Sequence, residues 1–508
     1  MKFSDKTWLI ILILISVIYI TLRLWNLTDS CLWFDEIFSI HAAEYSWQNL
    51  FWFVAQDLIH PPFFYVLLKI WIAIGGESLF WLRFFPVFFS AIALIPFILL
   101  CRQLKLSYPI IALALTFFAV NGSLIKYAQE VRMYSLLLCF GLISLWLFVR
   151  FLNLGKNFVF LVIINILLVY SHYFGWLIVA SEIFAVVLLA RQRLKQIFIM
   201  LFVTLLSFAP WIYAVWEAAK LNSNVGQNIG WMTKPNALSV FQFVFDLFEP
   251  IYFEQSSRDA AAIFFITLPI LALGISAFGF FLAGWKNESA IEKRNFSLLL
   301  IFCFTPILLA FIASWILPYS IWGTRHLIIA FAPFAVLSAI AFSKIKIRQL
   351  KYACLSVIFL LFGASFFLQT TRDTPKYIWC AWENLAVQLL QTHGNGSEPT
   401  KIYVFEDLVA YHFWFALRNS DREFQVIKIN GIEGLSEDKA YFLPRGFDGI
   451  QSADKFEGEK FFIAYRDKTF NLFAPPLQNI KTQGYNIGEP YIFEAQNLKA
   501  FLVEIRKN

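Results

Sequence analysis

The sequence predicts a polytopic α-helical membrane protein of about eleven spans, with interfacial helices and a small C-terminal α/β soluble domain. Three observations carry this. Of the 508 residues, 59% are hydrophobic, 19% aromatic and only 15% charged, against roughly 45–50% apolar and about 25% charged in soluble chains. The apolar residues fall in runs near the ~20 residues that cross a hydrocarbon core. After Thr370 the composition changes: residues 370–508 hold 16 Lys/Arg and 18 Asp/Glu, a net charge of −2, while the preceding part carries +9 of the overall +7. An ordinary soluble enzyme, a disordered chain and a disulfide scaffold are excluded. The six cysteines form no CxxC pair and mostly lie inside apolar runs, so they read as small hydrophobes.

The predicted spans are 8–25, 81–100, 107–121, 133–149, 158–170, 173–189, 197–216, 261–283, 296–317, 326–342 and 352–369. The first has basic residues before it (Lys2, Lys6) but no small-residue cleavage site after it, which suits an uncleaved span. The stretch 158–189 is too long for one helix, and Ser171-His172-Tyr173 with Gly175 marks a hairpin inside it. Lys and Arg set the direction. Lys2/Lys6, Arg102/Lys105, Arg150/Lys156, Arg191/Arg193/Lys195, Lys286/Lys293/Arg294 and Lys344/Lys346/Arg348/Lys351 occupy alternate connections, with three acids among them (Asp5, Glu288, Glu292). Those connections are expected to be cytoplasmic. Residues 26–80, 121–132, 171–174, 217–260, 318–325 and all after 369 then lie outside, at the inner or plasma membrane of the cell. Residues 63–74 are apolar, but a twelve-residue run is short for a crossing. Counting it as a span would also invert every later loop. It is therefore expected to be an interfacial helix, with Pro61-Pro62 at its start.

Residues 1–369 thus form the membrane domain, with its first outer loop at 26–80, and 370–508 an extracytoplasmic α/β domain. Within the latter, a helical pattern at 378–392 precedes a strand at Lys401–Phe405, a helix at 408–418 and strands at 424–429 and 460–465. No glycine-rich phosphate loop follows any strand, and nothing calls for nucleic acid.

Ionisable residues are few within the spans, Glu182 being the plainest, and cluster at the outer ends. In the first outer loop, Asp35 and Glu36 are adjacent carboxylates among Trp33, Phe34 and Ile37. Burial among such neighbours would raise a carboxylate's pKa and suit it as a base. A polar helix start capped by Asp35 or Asp29 explains the pair equally well. His60 stands at the mouth of the interfacial helix, where it could meet a phosphate or a metal, although a lone His is more often structural. The second outer loop brings Lys126, Glu130 and Arg132 to the entrance of the next span. Snorkelling accounts for the two cations but poorly for Glu130. Arg325 and His326 put cations at the outer end of the tenth span, against the positive-inside bias, and so ask for an anionic partner. Nucleotide-activated sugars are cytoplasmic. An outward-facing transferase therefore needs a donor dissolved in the bilayer, such as a polyprenyl-phosphate sugar, for which a carboxylate base and cations would be the minimum equipment.

In these residues the chain resembles the GT-C membrane glycosyltransferases, specifically the family 39-type group that includes the protein O-mannosyltransferases and the lipid A aminoarabinose transferase. The likeness rests on Asp35-Glu36, His60-Pro61-Pro62, Arg83, Tyr127-Ala128-Gln129-Glu130-Val131-Arg132-Met133-Tyr134, Ser171-His172-Tyr173-Phe174-Gly175 and Arg325-His326. It implies a GT-C fold and transfer of a sugar, with inversion, from a polyprenyl-phosphate donor to a lipid, glycan or protein acceptor on the extracytoplasmic face. By the same match Asp35 is the general base and Glu36 orients it or the acceptor. Lys126, Arg132, Arg325, His326 and His60 stabilise the phosphate, and Glu130 and His172 form an acceptor or second acidic site. No cofactor is spelled out. A divalent metal ion could assist, though no HxxxH or comparable spacing appears. His60-Pro61 replaces a Lys-Pro pair of the aminoarabinose enzyme, and the 217–260 loop is too short for the β-trefoil of eukaryotic O-mannosyltransferases.

Two rival functions remain. A transporter or flippase of lipid-linked sugars would call for internal pseudo-symmetry and mid-membrane charges, which the sequence lacks. A non-catalytic sensor would leave Asp35-Glu36 and Arg325-His326 without a reason.

Overall fold

A computed structural model describes residues 4–221, 229–251, 260–371, 376–392, 399–421, 423–430, 441–495 and 498–507. All eleven predicted spans are helices: Asp5–Leu24, Leu79–Gln103, Tyr108–Val120, Tyr134–Leu154, Phe158–Ser171, Gly175–Leu189, Leu194–Leu221, Ala260–Ala283, Ala290–Ile316, Phe331–Ser343 and Arg348–Thr371. Seven are long and apolar enough to cross a membrane, and the other four run 13 to 15 residues. Apolar side chains such as Leu9, Ile13, Phe202 and Leu360 are exposed on the long helices, as expected of surfaces meant for lipid rather than water.

The hairpin expected at 171–175 is present. His172 ends one helix and Gly175 opens the next. A Cβ at Gly175 would lie 2.7 Å from the Leu168 carbonyl oxygen, so glycine is required by close approach. The segment expected at the interface is a separate helix, Phe63–Gly75. The indoles of Trp71 and Trp81 stack at 4.4 Å, and each Nε1–H donates 2.8 Å to the other residue's carbonyl. A side chain at Gly75 would strike the Trp81 ring. Among the described residues, four helices in the connections expected outside lie beyond the predicted elements: Phe34–Glu44, Trp47–Asp57, Gly122–Gln129 and Ala237–Phe248.

Two of the buried ionisable side chains among the spans, Glu182 and Arg23, are closed by hydrogen bonds. Ser144 donates to Glu182 Oε1 at 2.7 Å and Asn165 Nδ2 to Glu182 Oε2 at 2.6 Å, joining three helices. Arg23, which the sequence reading passed over, donates to Ser90 Oγ and to the carbonyls of Tyr19, Ala119 and Phe118. Such satisfied groups act as helix-to-helix ties rather than as steps of a path through the membrane.

The chain divides into two compact units. One comprises residues 1–27, 46–225 and 232–373; the other comprises 28–45, 226–231 and 374–508. In the second unit a six-stranded sheet has the order β3-β2-β1-β4-β6-β5. Its strands are β1 (Thr400–Val404), β2 (Phe424–Ile429), β3 (Gln451–Ala453), β4 (Lys460–Asp467), β5 (Tyr485–Glu494) and β6 (Lys499–Lys507). β1, β2, β3 and β4 are parallel, and β6 runs antiparallel to β4 and β5. Helices Cys380–Thr392 and Asp407–Leu417 cover one face through Trp382, Leu389 and Phe413, and Leu477 and Ile480 pack on the other. The five elements expected in the tail are all found, to within two residues at most boundaries.

The segment 28–45 belongs to this unit. Cys31 and Cys380 form a disulfide, 349 residues apart in sequence. This corrects the reading of all six cysteines as small hydrophobes, which holds for Cys101, Cys139, Cys303 and Cys354. Cys31 and Cys380 are the pair outside the apolar runs, where two thiols can meet.

Candidate functional site

In the larger unit the side chain of Asn121 opens the helix Gly122–Gln129 by accepting from Leu124 N–H at 3.1 Å. That helix carries Lys126 and Tyr127. A turn closed by Arg132 N–H to the Glu130 carbonyl then leads into the helix starting at Tyr134. Arg132 Nη2 lies 3.1 Å from His60 Nε2, and His60 Nδ1 lies 2.8 Å from Asp57 Oδ2. A guanidinium can only donate, so Nε2 accepts and Nδ1–H donates to the carboxylate. His60 is thereby a neutral ring of fixed tautomer, with both nitrogens engaged, that ties Arg132 to Asp57.

Two more histidines join it. The ring centroids of His60 and His172 are 5.8 Å apart, and those of His172 and His326 5.7 Å. Tyr134 stands 6.4 Å from both His172 and His326. His172 Nδ1 accepts from Phe174 N–H at 3.0 Å. The ring proton is then on Nε2, which is buried and has no protein partner among the described residues. Burial pushes the pKa of His172 well down, and the neighbouring His326, His60, Arg132 and Arg325 add to this. His326 is pushed down in the same way, by burial first and then by Arg325 and His60. These histidines are neutral donors or acceptors at pH 7. Lys126, Glu130 and Arg325 all act electrostatically on the Tyr127 hydroxyl, whose pKa burial raises. All seven predicted residues of this group (His60, Lys126, Glu130, Arg132, His172, Arg325 and His326) therefore share one neighbourhood.

Two carboxyl groups there escaped the sequence reading. Asp246, near the end of the helix Ala237–Phe248, accepts from Thr324 Oγ1 and from Gln242 Nε2, each at 2.7 Å. Glu249, the next helix-end acid, is pushed up to about 8 by burial and by Asp246, with Lys126 opposing. Nothing in the sequence marked them, because their link to the site runs through Thr324 and Lys126, which are distant along the chain.

Asp35 and Glu36 belong to the smaller unit, in the first turn of the helix Phe34–Glu44. Their roles divide. Glu36 is fully buried, and its Oε2 accepts from Trp33 N–H at 3.1 Å, closing the helix start. Asp35 is half-exposed. The capping that could have explained the pair is thus done by Glu36. The Phe34 ring packs on Tyr411, Tyr441 and His412 at 5.2, 5.1 and 6.3 Å. Among the described residues no three His, Cys, Asp or Glu side chains converge as metal ligands.

No protein-family model matches the chain, and no curated protein does. Solved structures do. ArnT from Cupriavidus metallidurans bound to undecaprenyl phosphate matches with a TM-score of 0.60 at 11% identity, covering 98% of each chain. The apo state of the same enzyme matches at 0.51 and 10% identity, over 90% of this chain and 96% of that one. The archaeal oligosaccharyltransferase AglB from Archaeoglobus fulgidus, in complex with an inhibitory peptide and a dolichol-phosphate, matches at 0.49 and 14% identity. The matched region is 80% of this chain and spans 63% of the AglB chain. The chain has the GT-C fold: a helical membrane part with a small mixed-sheet domain at its C-terminal end.

Proposed function

We propose that this chain is a glycosyltransferase that moves a sugar from a polyprenyl-phosphate donor to an acceptor on the extracytoplasmic face of the membrane, inverting the anomeric centre. The observation that carries the reading is the gathering of Lys126, Arg132 and Arg325 around Tyr127 and three neutral histidines. Such a cluster at the outer ends of apolar helices suits a lipid-borne phosphate. The ArnT fold, captured in one case with undecaprenyl phosphate, supports the same ligand class. The Cys31–Cys380 disulfide supports an outward position for the first outer loop and the tail, since cytosolic thiols are kept reduced.

In this mechanism Asp35 accepts the proton of the acceptor's nucleophile as that atom attacks the anomeric carbon. The bond to the lipid phosphate breaks on the opposite side, and its electron pair leaves with the phosphate. Arg132 and Arg325 meet the growing negative charge. His60 acts through Arg132, and His172 offers its Nε2–H. Glu36 holds the helix that carries Asp35. Glu130 contacts the acceptor. A transporter reading gains no support from Arg23 and Glu182, which are tied to neighbouring helices.

The test is turnover by the purified protein in lipid nanodiscs, presented with a panel of polyprenyl-phosphate sugars and a membrane-lipid and glycan acceptor pool. Release of polyprenyl phosphate is expected with at least one donor. No release from any donor, together with no binding of undecaprenyl phosphate, would overturn the proposal. A pH dependence follows from Glu249. Its carboxyl is uncharged below about 8 and ionised above, so the donor KM is expected to rise as pH passes 8. Glu249→Gln should flatten that rise; an unchanged alkaline limb in the variant would remove Glu249 from the phosphate environment.

A further inference from the structure

The C-terminal domain has no role in the mechanism above, yet it holds the segment that bears the base. The helix Phe34–Glu44 is eleven residues long, a length at which an isolated helix is marginal in water. It is tied at three places. At its start, Cys31 is bonded to Cys380, the first residue of the domain's first helix. In its middle, His41 Nδ1 and the Tyr411 hydroxyl are 2.9 Å apart, within an aromatic group that includes Trp414 and Phe447. At its end, Arg418 pairs with Glu44 at 2.7 Å. His41 is pushed down to about 4 by burial and by Arg418, so the ring stays neutral and the tie persists through the physiological range. The covalent tie falls four residues before Asp35, at the end of the helix where the carboxylate sits.

We propose that the C-terminal domain is a positioning device for the base, and that Cys31–Cys380, His41–Tyr411 and Glu44–Arg418 are positioning residues that set the Asp35 carboxylate. This rests on the reading of Asp35 as the base. Proton transfer in the transition state is sensitive to displacement, and an offset of about 1 Å can cost roughly 10²-fold. A covalent bond and two polar pairs hold the helix that carries Asp35 within its own unit without adding a group to the reaction itself.

The experiment uses the full-length protein in nanodiscs. Dithiothreitol reduces the disulfide, giving two electrons and two protons to form two thiols while it is itself oxidised to its cyclic disulfide. The expected result is a fall in kcat of about 10- to 100-fold, with the lipid donor's KM held within about two-fold, and recovery on reoxidation. Cys31→Ser with Cys380→Ser should reproduce the fall and lose its sensitivity to dithiothreitol. Tyr411→Phe should lower kcat by a few-fold. The same two cysteine substitutions in an Asp35→Asn background separate positioning from general support. A device acting through Asp35 has little left to lose there, because effects of groups that work as a unit are not additive. An equal fall in both backgrounds, or unchanged kcat on reduction, would overturn the inference while leaving the proposed transferase standing. If Asp35→Asn alone retains full activity, it is the base assignment that fails.

Discussion

Asp35→Asn is expected to lower glycosyl transfer by about 10²–10⁴-fold, the usual worth of a positioned general base, while the protein keeps its expression level and thermal stability. The structure separates this outcome from a folding defect. The helix start at Phe34 is closed by Glu36, whose carboxylate accepts from Trp33 N–H, and Asp35 is half-exposed in the first turn. Asn has nearly the same shape and retains an acceptor oxygen, but its amide takes up no proton. Glu36→Ala should behave in the opposite sense. Loss of the cap destabilises the helix start, by about 1 kcal/mol for a typical cap, and lowers activity through position. The check is a polyprenyl-phosphate-sugar assay run beside thermal unfolding in the same nanodiscs. Full turnover by Asp35→Asn would dismiss it as the base, whatever Glu36→Ala does.

The membrane part was legible because its physics is one-dimensional. A run of about 20 apolar residues has to be a helix in lipid, where every backbone polar group must be satisfied internally. Phe63–Gly75, expected from the parity of basic loops to lie at the surface, is a separate helix of 13 residues. The five tail elements were legible from their periodicities. β5 was not, because Gly488-Glu489-Pro490 interrupts it, and the register shifts between Ile487 and Pro490. β5 is an edge strand in the sheet order, where proline and a bulge are tolerated.

The gathering of the site was legible only in part, for a different reason. His60, Lys126, Arg132, His172, Arg325 and His326 could be named because each falls in or beside a connection that the alternation of basic loops assigns to the same expected side. Their charge states could not be read. His60 is neutral because Arg132 must donate to it, and His326 is driven neutral by burial and Arg325; both facts depend on neighbours distant in sequence. The same holds for the Cys31–Cys380 bond. Sequence shows two cysteines on segments expected outside, but only the packing of the helix Phe34–Glu44 against Asp407–Leu417 makes them partners.

This redistribution of charge sharpens the second large effect. With three histidines neutral, the proposed lipid phosphate would meet Lys126, Arg132 and Arg325, and these three are not equivalent. Lys126 has Asp246 and Glu249 as electrostatic neighbours, and Arg132 is bound to His60. Arg325 acts electrostatically on Tyr127 and on both His172 and His326. Arg325→Ala is therefore expected to raise the donor KM roughly 10- to 100-fold, the equivalent of about 1.5–3 kcal/mol for a lost hydrogen bond to a charged group. The acceptor KM should stay within about two-fold. Arg325→Lys keeps the charge but loses the planar fork, so an intermediate loss is expected. Removing the cation should also let His172 and His326 titrate at higher pH, since Arg325 is among the groups that push both down. Equal losses for donor and acceptor would count against a phosphate contact and leave Arg325 as a structural cation beside Tyr127.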